Sequence, residues 1–270
     1  MSYNGLINIG NTCYLNSGLQ LLLQNKELCY YIVNKNDNKL NNIILFVKEY
    51  LNKCNNKLNP SIVKNVIQEY NRMFIGYKQH DSFEFILYFL DYIHEHKIKN
   101  IYEITTTINI KCKLRKCLNI SSHNESHNFL LLDINNESNS LNDCYINYIK
   151  REKLMDDNVY YCEKCKANRI ASKRINIIKW PNHLIIVLKR FNYNSRKIDK
   201  QISMSLEWNQ YELQGFVFHS GSCFGGHYIY IGKYNNKWLM LNDDSITEIN
   251  LNILDKYKDY AYIYYYKISN

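Results

Sequence analysis

The apolar residues of this chain repeat at one period up to about residue 97 and at another beyond it, which limits the fold to helices followed by strands. Leu19, Leu22 and Leu23 recur at helical spacing, as do Leu40, Ile43, Ile44, Val47 and Leu51. Asn59-Pro60 is a helix start, followed by Ile62, Val63, Val66, Ile67 and Tyr70 on one face. Asp81 and Glu84 form a capping pair ahead of Phe85, Phe89 and Ile93 at i, i+4 and i+8. Near Ile101 the period falls to two: Ile104, Thr106, Ile108 and Ile110 alternate, and Phe129 to Ile134 is a β-type apolar run. Ser121 to Asn128, between these runs, reads as a polar turn, and Leu141 to Lys153 reads as helix. From His183 onward strands are predicted over 183–192, 213–218, 227–234, 237–242 and 260–267. Segregated helices and strands with no internal repeat define an α+β fold.

A length of 270 residues accommodates one large domain or two lobes. The 25 tyrosines against 2 prolines, with abundant Asn, Ile and Lys, match an AT-rich coding bias. The net charge of +9 is therefore weak evidence of a partner. The lysines read as scattered, without a basic run interleaved with aromatics, so nucleic acid is not expected. No apolar run reaches the ~18 residues of a membrane span, and Met1-Ser2-Tyr3-Asn4 has no signal-peptide h-region. An intracellular protein without membrane contact is expected. Its nine cysteines then read as thiols or metal ligands.

Three constellations carry chemistry. In Gly5 to Gln24 a glycine-punctuated loop turns helical at Cys13, and the N–H groups of a helix start favour a thiolate. Cys112 and Cys117 have four residues between them, and Cys162 and Cys165 have two. Both gaps suit tetrahedral zinc, and with no histidine in the set a closed structural site of four thiolates is expected. In His219 to Ile231, Gly225 and Gly226 precede His227 at the start of a strand, where backbone approaches closely. If 227–234 and 237–242 pair across Asn235-Asn236, Asn242 returns to His227 and can accept its Nδ1–H. Cys13 as nucleophile, His227 as base and Asn242 as orienter then form a triad.

These residues resemble the boxes of the ubiquitin-specific proteases. Gly5 to Gln20 is similar to the Cys box, and His219 to Ile231 with Trp238 to Asp243 to the His box. Gln79-His80-Asp81-Ser82-Phe83-Glu84-Phe85 resembles the family's Gln-Gln-Asp-Ala-His-Glu-Phe segment. Tyr161 to Cys165 through Leu188-Lys189-Arg190-Phe191 resembles the join between fingers and palm. The resemblance implies a papain-like cysteine peptidase fold spanning 1–270 as one catalytic domain. Its helical thumb would cover 1–100, zinc-bearing fingers 101–170 and a β-rich palm 171–270. A near-minimal, monomeric enzyme is expected, with ubiquitin and its conjugates as partners and no catalytic cofactor beside the structural zinc. The implied reaction is thiol hydrolysis of the bond after ubiquitin's terminal glycine.

By motif position, Cys13 is the nucleophile, His227 the base and Asn242 the third member, a role Asp243 would share. Asn8 falls at the oxyanion position. Asp81 and Glu84 would meet arginines of ubiquitin's tail, with Gln79, Gly225, Gly226 and Tyr228 lining its channel. His80, Ser82 and Phe83 depart from the family, and the first cysteine pair is wider than its usual gap. A peptidase for a ubiquitin-like modifier or a weak ubiquitin-binding module is the alternative. A zinc-bearing nucleic-acid binder would need a lysine cluster beside the cysteines, and none is read there.

Overall fold

The computed structural model describes residues 3–191 and 196–269. The helical lobe contains β1 (Gly5–Leu6), α1 (Cys13–Leu23), α2 (Lys26–Val33), α3 (Asn41–Asn52), β2 (Lys57–Leu58), α4 (Ser61–Tyr70) and α5 (Ser82–Glu95). All eleven residues of α1 are buried, because it lies between α5 and the large sheet described below. A helix enclosed on every side has no wet face to balance, which explains its near-continuous apolar run. Asn16, Ser17 and Gln20 are its buried polar members, and each bonds a neighbouring segment: Asn16 to Leu6, Ser17 to Ser82 and Gln20 to Asn4. The Asn25 side chain caps α2, accepting from Glu27 and Leu28.

The middle of the chain supplies β3 (Ile104–Cys112), β4 (Ile120–His127), β5 (Leu130–Leu132), α6 (Leu141–Ile149), β6 (Glu152–Leu154), β7 (Tyr160–Cys162), β8 (Ala167–Arg169) and β9 (Ala171–Lys179). The last part supplies β10 (His183–Leu188), β11 (Glu207–Trp208), β12 (Tyr211–Ser222), β13 (Gly225–Tyr234), β14 (Lys237–Asn242), β15 (Ser245–Ile249), α7 (Leu251–Lys258) and β16 (Ile263–Ile268). One sheet runs β15-β14-β13-β12-β16-β10-β5, with β11 on β12, and a four-stranded sheet runs β4-β3-β9-β6. Sheet membership thus crosses residue 170: β9 pairs back onto β3, while β5 joins β10 in parallel. Every residue of β10 is buried, since the large sheet carries a core on each face.

Several sequence expectations needed correction. Ser121 to His127 of the expected polar turn fall within β4, an edge strand exposed along most of its length, so no apolar alternation marks it. The helix expected to reach Lys153 ends at Ile149, and 152–154 pairs with β9 instead. Helices α2 and α7 and strands β9 and β15 were not anticipated. The strand expected over 183–192 ends at Leu188, with residue 192 outside the described residues. The hairpin prediction agrees: β13 and β14 pair antiparallel, with Asn235 (φ 48) and Asn236 (φ 65) both left-handed.

Candidate active site

Cys13 is the first residue of α1 and is buried at the floor of a cleft of about 360 Å³ between the two lobes. Gln79, Asp81, Glu84, Gly225, Gly226 and Tyr228 line the same cleft. The helix start favours a thiolate less than the sequence suggested. Burial pushes the Cys13 thiol above its ordinary value of 9.0, opposed by backbone N–H groups of Tyr228, Tyr14 and Cys13, while the Asp243 carboxylate adds to the rise. A buried site withholds more solvation from the anion than the helix end returns.

His227 and Asn242 come together as the hairpin predicts, with His227 Nε2 2.6 Å from Asn242 Oδ1. The ring nitrogen differs from the expected one: Asn242 takes Nε2, leaving Nδ1 for the substrate side. Because Asn242 is the last residue of β14, its amide meets the far edge of the ring. An Nε2–H donated to this carbonyl oxygen fixes Nδ1 as the basic nitrogen. Among the described residues no hydrogen bond joins the thiol to His227. Such bonds are often long in unliganded enzymes.

Asp243 does not share the orienter's place. Its φ of 51° turns the chain, and its carboxylate accepts from Asn8 Nδ2 at 2.8 Å and Asn16 Nδ2 at 2.7 Å. Its backbone oxygen accepts from Leu6 at 2.8 Å. Asn8 in turn accepts through Oδ1 from the N–H groups of Gly10 and Thr12. The loop ahead of Cys13 is therefore tied to the β14–β15 turn across the cleft. Gly5 allows this approach, since a side chain there would strike the Asp244 backbone. Asn16 escaped the sequence reading; its signal was an amide one turn after Cys13 in a helix that is otherwise mostly apolar.

Asp81 caps α5, accepting from the N–H of Phe83 at 2.6 Å, and the Glu84 carboxylate meets the Asp81 N–H in return. The Tyr262 hydroxyl donates to Asp81 at 3.2 Å, and the Tyr228 hydroxyl lies at 3.5 Å. Burial raises the Asp81 carboxyl to about 6, with the Glu84 charge contributing and the hydrogen bonds opposing.

Gln79 spans the cleft: its amide donates to the Gly226 carbonyl at 3.2 Å and accepts from the Gly226 N–H at 3.0 Å. A side chain on Gly226 would collide with Ser220 and the His219 ring, so this glycine serves its own hairpin as well as the cleft. Of the departures from the motif, Ser82 and Phe83 are packing positions, while His80 both packs and lines the cleft. His80 meets Tyr14 and Phe74 edge-on, Ser82 is fully buried against Ser17, and Phe83 stacks edge-on with Phe129.

The two cysteine pairs converge away from the cleft. The Sγ atoms of Cys112, Cys117, Cys162 and Cys165 lie within 4.8 Å of one another. Cys117 and Cys162 are 3.7 Å apart, far beyond a disulfide and close to the ~3.8 Å edge of a tetrahedron with metal–sulfur bonds of ~2.3 Å. The wider first pair fits because a turn inside the gap, closed by the Cys117 N–H on the Leu114 carbonyl at 2.9 Å, brings Cys117 back. The donor set and its spacing fit zinc.

A family model described as ubiquitin carboxyl-terminal hydrolase matches residues 4–266. Probable ubiquitin carboxyl-terminal hydrolase 16 of Schizosaccharomyces pombe is 30% identical over 308 positions, covering 97% of this chain. This chain spans 66% of that relative's length. Ubiquitin carboxyl-terminal hydrolase 12 of Salmo salar is 27% identical over 319 positions, covering 94% of this chain and 84% of the relative. Among solved structures, a SAGA DUB module of Ubp8, Sgf11, Sus1 and Sgf73 bound to monoubiquitin matches with a TM-score of 0.84 and 26% identity. That match covers 99% of this chain and 69% of the solved one. The same module bound to ubiquitin aldehyde, at 24% identity and a TM-score of 0.80, shares the fold over 99% of this chain and 70% of that one. With the sequence boxes, the α+β architecture and the four-thiol cluster in agreement, the chain belongs to the ubiquitin carboxyl-terminal hydrolase family.

Proposed function

We propose that this chain is a deubiquitinating thiol hydrolase that cleaves the peptide or isopeptide bond after ubiquitin's C-terminal glycine. The observation that carries the proposal is the His227–Asn242 bond of 2.6 Å, one residue from the Tyr228 backbone that meets the Cys13 thiol. It leaves a single basic nitrogen, Nδ1, for the proton of the buried thiol.

Cys13 passes its proton to His227 Nδ1, and the thiolate adds to the glycine carbonyl carbon. The oxyanion accepts hydrogen bonds from the Cys13 N–H and from Asn8. An amide nitrogen carries two hydrogens, so Asn8 can keep one on Asp243 and offer the other. Collapse of the adduct expels the amine, which takes the proton from His227, and leaves a thioester on Cys13. Water then attacks the thioester while His227 accepts its proton. The products are ubiquitin's free carboxylate and the restored thiol.

Asp243 and Asn16 are positioning residues in this scheme, holding Asn8 through a shared carboxylate. Asp81 and Glu84 supply negative charge for arginines of the tail, and Gln79, Gly225, Gly226 and Tyr228 bound its channel. Residues 1–100, 101–170 and 171–270 act broadly as thumb, fingers and palm, with β5 and β9 exchanged between the last two. Zinc on Cys112, Cys117, Cys162 and Cys165 would cross-link the two segments at the tip of the insertion, a structural role.

Incubation with ubiquitin bearing a C-terminal electrophile tests the proposal. The expected result is a covalent adduct in wild type and none in Cys13→Ala. An adduct that survives Cys13→Ala, or none with folded wild type, refutes it. A probe built on a ubiquitin-like modifier, reacting while ubiquitin's does not, would reassign the substrate.

A further inference from the structure

The cysteine cluster sits inside a concentration of charge whose two halves stand in the sequence as Lys111 to Cys117 and Glu163 to Arg169, correcting the reading of the lysines as scattered. Lys111, Lys113, Arg115 and Lys116 surround the first cysteine pair, and Lys164, Lys166 and Arg169 surround the second. The fold places both segments at one tip: the Lys113 N–H donates to the Ile170 carbonyl at 2.9 Å, and Lys164 Nζ reaches the Cys117 carbonyl at 3.4 Å. Six of these seven cations are exposed, with only Arg169 half-buried. Glu163 is the one acidic residue in the two segments, and it pairs with Lys166 at 3.4 Å. The tip thus carries +6 of the chain's net +9. A divalent ion on four thiolates has a net charge of −2 and offsets part of this, leaving +4.

The same tip is unusually apolar for an exposed surface. Leu114, Leu118, Ile120, Tyr161 and Ile170 are each between 44% and 58% exposed. Scattered singly, such residues need no explanation, but grouped on a small projection they mark a contact surface.

We propose that this tip is a docking surface for an acidic protein segment that also carries apolar side chains. Charge complementarity selects an anionic partner and steers its approach. The aliphatic residues then distinguish among anionic partners. A phosphate backbone would satisfy the lysines while leaving Leu118 and Ile120 wet, whereas an acidic segment with leucine or phenylalanine covers both. None of the residues of this surface lines the Cys13 cleft.

The test is fluorescence anisotropy on the full chain with three labelled probes at low and high salt. One is a peptide of roughly 20 residues, the size of one side of a standard interface, mixing Glu and Asp with Leu and Phe. The second has the same charge with Ser in place of Leu and Phe, and the third is a single-stranded RNA of similar length. The apolar acidic peptide should bind at least about tenfold more tightly than its serine counterpart and weaken as salt rises. Lys113→Glu with Arg115→Glu and Lys116→Glu should lose binding of both peptides. Leu118→Ser with Ile120→Ser should lose only the advantage of the apolar one. Metal content and thermal melting check that each variant folds, and neutral glutamines at 113, 115 and 116 replace the reversal if it does not. Equal binding of the two peptides, tighter binding of RNA, or no binding by any probe would overturn the proposal. In the last case the lysines serve only to balance the thiolates.

Discussion

Asp81→Asn should stabilise the protein at neutral pH while weakening its handling of ubiquitin. The carboxyl titrates at about 6 in the folded chain against 3.8 ordinarily. The folded state therefore holds its proton more tightly than the unfolded one. Stability from this group is fully present below the unfolded value and is lost as pH rises through the folded one. The difference corresponds to at most about 3 kcal/mol of cost above pH 6, at ~1.36 kcal/mol per unit. Asparagine does not titrate, yet its carbonyl oxygen can still accept from the Phe83 N–H and keep the cap on α5. The stability of the variant relative to wild type should climb between about pH 4 and pH 6 and then level off. For a chain of this size the full gain is a rise in Tm of roughly 5–10 °C. Urea unfolding at half-unit pH steps reads it directly. A difference that stays flat over that window, or falls as pH rises, would show that the tyrosine and backbone hydrogen bonds outweigh burial. Steady-state kinetics on a ubiquitin conjugate should show a raised KM from loss of the charge offered to tail arginines.

Other outcomes follow from the same geometry. His227→Ala should lower kcat by about 10²–10⁴-fold, the usual worth of a general base, while ubiquitin binding measured by calorimetry is kept. Asn8→Ala should cost about 10²–10³-fold in kcat with little change in KM. Asp243→Asn should reproduce part of that loss through Asn8, and should move the pH dependence of Cys13 alkylation to lower pH, because its charge no longer raises the thiol. Alkylation of Cys13 by iodoacetamide in the free enzyme should rise with pH and reach half-maximum above 9, following the raised thiol value; a plateau near pH 7 would contradict it. Prolonged chelation should release about one zinc per chain and lower the melting temperature, with the residues of β7 and β8 losing amide protection first.

Helices α3 and α4 were legible because each buries one face, so Leu40 to Leu51 and Ile62 to Tyr70 repeat at 3.6 residues. β4 was not legible: it pairs on one side only and exposes most of its side chains, which removes the apolar alternation. Helix α2 depends on a side-chain cap from Asn25 and on packing against α3, signals easily lost in an Asn-rich chain.

Residue types and local spacing by themselves marked the change from a helical to a strand-rich half and the Asn235-Asn236 turn, while resemblance to family motifs put forward Cys13, His227 and Asn242 as nucleophile, base and orienter. Those depend on short-range rules or on motifs of fixed spacing. Tertiary structure alone decided that Asn242 meets Nε2, that Asp243 bonds Asn8 and Asn16, and that burial pushes the Cys13 thiol up. It also brought two basic runs, at 111–116 and 164–169, into one charged tip. Each of these rests on groups far apart in the chain, whose distances and shared desolvation exist only once the lobes have packed.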